Sequence, residues 1–158
     1  METQGHLIVD VARLSASGEK IAGETREDLL DLGEEDLLVP LGGIKYVLRV
    51  EALGSELLVQ GEVSQRIKCA CTRCGAVFEC DVVDSDFVCA VEINALTEFV
   101  DLTAEIREAI ILALPGYPVC RTDCKGLCTT CGANLNITTC SCRQSGQEGR
   151  WAALDALP

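Results

Sequence analysis

The chain has 158 residues and a formal net charge of -12; 48% of it is apolar but only 4% aromatic. That is enough for one compact domain, or one domain with a small module, whose core must be built from Leu, Val, Ile and Ala. So acidic a body repels phosphate backbones and argues against broad nonspecific nucleic-acid binding. No run reaches the roughly 18 apolar residues of a membrane helix, and METQGHLIVDVARL lacks the basic-then-apolar order of a secretory leader. The expectation is a soluble cytoplasmic protein with no membrane partner. The charge is uneven: residues 1–119 carry nine Lys/Arg against twenty-two Asp/Glu, and residues 120–158 carry four against three. An acidic body suits solubility, or docking onto a basic protein.

In chain order, HLIVDVARL (6–14) alternates well enough for a first strand, and SASGEK reads as a turn. Thr25 is placed to cap a short helix over REDLLDL, closed by Gly33. Gly42 and Gly43 mark a turn. IKYVLRVEAL (44–53) and ELLVQGEVSQRIKC (56–69) alternate across a Gly54–Ser55 turn and predict an antiparallel hairpin. VFECDVVDSDFVCAVEI (77–93) predicts a further strand, which sets Cys71, Thr72, Arg73 and Cys74 at the turn between two long strands. DLTAEIREAIILALP (101–115) predicts the main helix, about 101–114. Leu102, Ile106, Ala109, Ile110 and Ala113 form its apolar stripe, Thr103 or Asp101 is the N-cap, and Pro115–Gly116 is the stop. Glu105 and Glu108, three apart on this helix, read as a solvated face. The fold class expected is α+β: an antiparallel sheet with one main helix and an appended cysteine-rich zinc-knuckle module. The domains expected are 1–117 for the acidic sheet domain including the CxRC turn, 118–143 for the metal-binding module, and 144–158 for the tail.

The module CRTDCKGLCTTCGANLNITTCSC (120–142) holds six of the eleven cysteines and no histidine. In a reducing cytosol clustered cysteines more often bind metal than form disulfides. Two ligands separated by two residues fit the tight turn of a metal knuckle, and Gly132, directly after Cys131, supplies the residue tolerant of positive φ. GANLNITTC offers few apolar groups to fold on, so a metal would supply the missing folding energy. Cys128 and Cys131 are the firmest ligands. Cys140 and Cys142 are favoured over Cys120 and Cys124 as the other pair; a two-metal cluster using all six, and an iron–sulfur cluster, are also open to this spacing. The CTRC of Cys71 and Cys74 has three readings: a second zinc with Cys69 or Cys80, a zinc held jointly with the C-terminal module, or a redox pair. The redox reading is weakened because the motif lies between strands rather than at a helix N-terminus, where a thiol pKa falls. Cys89 reads as a small buried apolar residue.

Nothing points to catalysis. His6 is the sole histidine, and no histidine sits near a cysteine in sequence to serve as its base. No phosphate loop or serine elbow appears. An all-cysteine cage is structural, since catalytic zinc keeps an open position. The chain is read as no enzyme, with no small-molecule substrate.

CTRCGAVF, the helix ending in LALP, DCKGLCTTCGANLN with a trailing CSC, and the terminal RWAAL together resemble the YceD family of bacterial proteins and their plastid relatives. The resemblance runs from about residue 66 to 154. Thr129–Thr130 departs from it, standing where a proline-containing knuckle is usual. Some members lack the C-terminal cysteines, which makes the CxRC turn the better candidate for a shared feature. The resemblance implies a ribosome biogenesis factor supporting synthesis, processing or stability of large-subunit (23S) ribosomal RNA. The partner expected is a ribosomal protein or pre-ribosomal particle, with rRNA contact through Arg73, Arg121 and Lys125. The alternative is a redox or metal-handling thiol protein. A nuclease is the weakest reading, for want of an acid/base set or a carboxylate metal cluster.

Overall fold

The computed structural model describes residues 5–26, 29, 30, 32 and 38–142. The architecture is the α+β arrangement expected, antiparallel sheets with a single α-helix among the described residues. Its strands are β1 (Ile8–Asp10), β2 (Glu19–Glu24), β3 (Leu38–Pro40), β4 (Lys45–Leu53), β5 (Glu56–Ala70), β6 (Val77–Glu92) and β7 (Phe99–Asp101), followed by α1 (Thr103–Ala113).

β5 is the axis of the larger sheet. Along one edge it pairs with β6 from end to end. Along the other it pairs first with β4, from Glu56 to Ser64, and then with β3, from Ile67 to Cys69. β2 lies outside β4, with Glu19 opposite Val50. β1 and β7 make a separate two-stranded sheet. The alternation in the sequence follows directly: Leu57, Val59, Val63 and Ile67 of β5 are fully buried, while their neighbours face out.

β6 changes phase midway. Cys80 and Val82 face inward, and so do Phe87 and Cys89, although Val82 and Phe87 are an odd number of residues apart. Glu62 of β5 faces both Ser85 and Asp86, because the register shifts between Gly61 and Val63. The extra residue of this bulge carries the second half of β6 back onto the core face.

The helix buries Leu102, Ile106 and Ile110 completely against the sheet, with Ala109 and Ala113 partly buried beside them. Its N-terminus differs from the sequence expectation. Leu102 occupies the cap position with no side-chain cap, and Asp101 Oδ1 accepts the Thr103 N–H at 2.9 Å. Thr103 Oγ1 is used elsewhere, accepting Leu7 N–H at 2.9 Å and so tying α1 to the start of the chain. Glu108 is exposed, but Glu105 is half-buried and its Oε2 has no hydrogen-bond partner among the described residues, so Glu105 is not the solvated residue expected.

The first strand is shorter than HLIVDVARL predicts. Val11 donates its N–H to Glu98 O and the chain coils into a 3-10 turn over Val11–Arg13. β2 was not expected at all, because only Ile21 of its six residues is better than exposed and the period-2 signal is absent. The helix expected over REDLLDL falls mostly outside the described residues. Leu29 and Leu30 are in a turn, and Arg107 of α1 donates to their carbonyls at 3.0 and 3.2 Å.

Candidate metal centres

Two turns with the same local plan carry the site. CTRCG (71–75) closes the β5–β6 hairpin, where Cys71 N–H bonds Ala76 O and Gly75 N–H bonds Cys71 O, both at 2.8 Å. CTTCG (128–132) repeats the pattern: Cys128 N–H bonds Ala133 O at 2.8 Å and Gly132 N–H bonds Cys128 O at 2.9 Å. The glycines have φ of 70° and 72°, a conformation a side chain would strain. Gly75 is a signal that the sequence reading missed; it makes CTRC the twin of CTTC.

Each turn is completed by a second pair of cysteines. Cys71 and Cys74 meet Cys120 and Cys124; Cys128 and Cys131 meet Cys140 and Cys142. Within each group of four, all Sγ atoms lie within 4.8 Å of one another. Cys71–Cys124 and Cys74–Cys120 are 3.8 Å apart, and Cys140 stands 3.4 and 3.5 Å from Cys128 and Cys131. A tetrahedral ion with metal–sulfur bonds of about 2.3 Å sets its sulfurs about 3.8 Å apart, so four thiolates in this arrangement fit one ion per cage.

The cages differ in their surroundings. In the inner cage Cys71, Cys74 and Cys124 are buried, with Phe78 and Val119 packed against them. The outer cage leaves Cys131 exposed and the other three half-buried. Thr72 fixes the two parts of the inner cage: its N–H and its hydroxyl both bond Pro118 O, at 2.9 and 3.1 Å.

Asn136 joins the inner cage to its frame. Its Oδ1 accepts Lys125 N–H at 2.9 Å and Arg121 Nη2 at 2.8 Å, while its Nδ2 donates to Cys124 Sγ at 3.4 Å and Asn134 Oδ1 at 2.8 Å. In the sequence Asn134 and Asn136 read only as turn residues.

Backbone N–H groups prepare part of each cage. The N–H of Cys120, followed by those of Cys74 and Arg73, lowers the Cys71 thiol to about 6. The N–H groups of Cys131 and Thr130 lower Cys128 to about 6. Burial and the thiols of Cys71 and Cys124 push Cys120 up to about 12. Cys140 also reaches about 12: the Cys142 N–H opposes the rise, but the thiols of Cys142, Cys128 and Cys131 outweigh it. Each cage therefore has a ready thiolate and a thiol whose proton a bound cation would displace.

Residues 90–158 match the family described as Large ribosomal RNA subunit accumulation protein YceD. An uncharacterized protein of Mycobacterium leprae is 30% identical over 156 residues, covering 85% of this chain and 72% of its own length. The chain belongs to the YceD family. The chloroplastic large ribosomal RNA subunit accumulation protein YCED homolog 1 of Zea mays is 39% identical over 67 residues, 42% of this chain and 23% of that protein. Its Arabidopsis thaliana counterpart is 33% identical over 58 residues, 37% of this chain and 18% of that protein. No solved structure matches the chain. The YceD match takes in α1, the outer cage and half of the inner one. Cys71 and Cys74 lie outside it and fold back onto it.

The grouping narrows the ligand sets left open for this YceD chain. The structure joins CTRC to the C-terminal module, as one reading had it, and not to Cys69 or Cys80. Those two thiols lie 3.7 Å from each other across β5 and β6 and belong to neither cage. Cys89 is half-buried, its thiol pushed up to about 11 by burial and by Glu105. Arg73 is exposed at the hairpin tip, yet its Nη1 donates to Cys124 O at 3.2 Å and its own carbonyl accepts Leu127 N–H at 3.1 Å. Arg121 is held by Asn136 and by Asp123 at 3.2 Å. Lys125 is exposed. No helix of the described residues is long and apolar enough to cross a membrane.

Proposed function

We propose that this chain is a non-enzymatic cytoplasmic factor that supports accumulation of large-subunit ribosomal RNA, with a structural zinc in each four-cysteine cage. The observation that carries the reading is its membership of the YceD family, whose maize and Arabidopsis homologues are named for that role. Zinc is supported by the donor set. Four soft thiolates at tetrahedral spacing suit zinc, and sulfurs this close suit a single ion better than a multi-iron cluster. With four protein ligands such a zinc has no open position for substrate or water, which supports a structural role. His6, the only histidine, is exposed and faces Asp101 at 3.2 Å, remote in sequence from every cysteine of the cages.

The acidic body suits a basic ribosomal protein or pre-ribosomal particle as partner. The module after residue 119 bears Arg121 and Lys125, and with Arg73 these are the side chains proposed to meet the partner or its RNA. The test is a sucrose-gradient profile, with ribosomal RNA quantified, from cells depleted of the protein. Loss of mature large subunits and their RNA, with small subunits retained, is the expected result; an unchanged profile refutes it.

A thiol redox or metal-handling role is the second reading, favoured by the lowered thiols of Cys71 and Cys128. Titration of free thiols against bound zinc separates the two. Tightly held, oxidation-resistant zinc supports the structural reading, and labile zinc with a readily formed Cys71–Cys74 disulfide supports the other.

A further inference from the structure

β6 is the longest strand, with 16 residues, and it closes one side of the sheet. One of its edges pairs with β5 throughout. Along the other, no main-chain group elsewhere among the described residues bonds to it. A free edge is a template for another strand, and proteins guard such edges with charged side chains, lysine above all, and with proline, bulges or short length; an acidic edge repels acidic or neutral copies of itself but not a cationic strand. β6 contains neither Lys nor Pro, and its bulge lies at Ser85–Asp86, beyond its first half. The stretch from Val77 to Val83 is therefore regular, and the charges it presents are acidic only, Glu79 and Asp81.

Two features beside that stretch say what it would take. The first is an open groove of about 450 Å³ between Phe78–Val83 and the end of α1, walled by Ala113, Pro115 and Tyr117. Tyr117 is 86% exposed, Val77 61% and Val83 49%, so apolar surface lies on both sides of the strand edge. The second is charge. From Gly75 to Ile106 the chain has eight Asp or Glu and no Lys, Arg or His. Of the β6 acids, only Glu79 meets a cation among the described residues, Arg66 of β5 at 3.1 Å.

We propose that the β6 edge from Val77 to Val83 receives an extended, Lys/Arg-bearing segment of a partner protein as an added strand. Main-chain bonds supply the attachment. Apolar side chains of the segment enter the groove beside Tyr117, and cationic ones meet Asp81 and its neighbours. The field that draws such a peptide repels RNA, which makes protein the class of partner. The identification of the segment with a basic ribosomal protein rests on the proposed function; the docking mode does not.

The test uses the full chain and a short peptide of alternating lysine and valine, followed by NMR. The peptide is expected to slow exchange of the Val77–Val83 amides that face away from β5, and not of those at the outer cage. The same peptide with its alternate amides N-methylated keeps its charge but cannot pair, and is expected to bind at least about 10-fold more weakly. Asp81→Lys and Tyr117→Ala each weaken the unmodified peptide by a similar factor, with bound metal unchanged as the check on folding. Equal affinity for the N-methylated peptide overturns the proposal, since charge alone would then explain binding. Protection in the free chain of those Val77–Val83 amides that face away from β5 also overturns it, because residues 143–158 or a second copy would then hold the edge. An unchanged ribosome profile on depletion refutes the proposed function, while this measurement on purified protein stands or falls separately.

Discussion

Cys71 and Cys124 are fifty-three residues apart in the chain and 3.8 Å apart at their sulfurs. Their meeting turns the β5–β6 hairpin tip and the segment after α1 into one unit. An ion held there would join two distant parts of the chain, whereas one in the outer cage would close a local loop.

The cages should therefore differ in what their loss costs. Cys124→Ser is expected to reduce bound zinc from two to one per chain and to destabilise the fold by about 3 kcal/mol or more, the scale of a lost structural metal. Cys131→Ser should also leave one zinc but cost less, since its cage spans only residues 128–142. Metal analysis with denaturant unfolding of both variants checks this. Equal losses of stability would contradict the assignment of the inner cage as the joint.

Asn136→Ala removes the acceptor for Lys125 N–H and Arg121 and the donor to Cys124 Sγ. A residue that orients a metal ligand in this way is worth about 10- to 100-fold in metal affinity. The variant should keep both zincs at neutral pH but lose one of them faster to a chelator. An unchanged release rate would reduce Asn136 to a turn residue.

Arg73→Ala deletes one part-buried hydrogen bond to Cys124 O, at a cost of about 1 kcal/mol. Folding and zinc content should survive, while large-subunit RNA accumulation falls in cells that rely on the variant. Normal RNA in those cells would assign Arg73 to the clasp alone.

Acid should weaken the α1 start through Asp101. Burial raises its pKa, but the Thr103 hydroxyl and N–H, and then His6, outweigh this and hold it below the ordinary carboxylate value. Its contribution is thus full above the unfolded value of about 3.9 and is lost as pH falls through the folded one. Because the side chain is half exposed, the effect is small, about 0.5–1 kcal/mol at pH 7. Asp101→Asn should differ from wild type by this amount near neutrality and converge with it toward pH 2. A difference constant across that range would show that Asp101 acts through its shape and not its charge.

What could be read in the sequence was local. The β4–β5–β6 hairpins, α1 with its buried Leu102, Ile106 and Ile110, and the CTTCG knuckle all announce themselves within a few residues, because period, turn chemistry and ligand spacing act between near neighbours. β2 has too little buried surface to leave a pattern, and the strand expected over 77–93 gave no sign of the bulge that changes its phase. Membership of the inner cage was beyond local signals: Cys69, Cys71, Cys74 and Cys80 all looked available around the CTRC turn. The register of β5 on β6 turns Cys69 and Cys80 toward each other, and the Thr72–Pro118 contact brings Cys120 and Cys124 over the hairpin tip. A ligand set drawn from the tip of a long hairpin and from the segment after a helix exists only when those elements are packed. That is why the presence of thiol cages belongs to the sequence and their partnership to the tertiary fold.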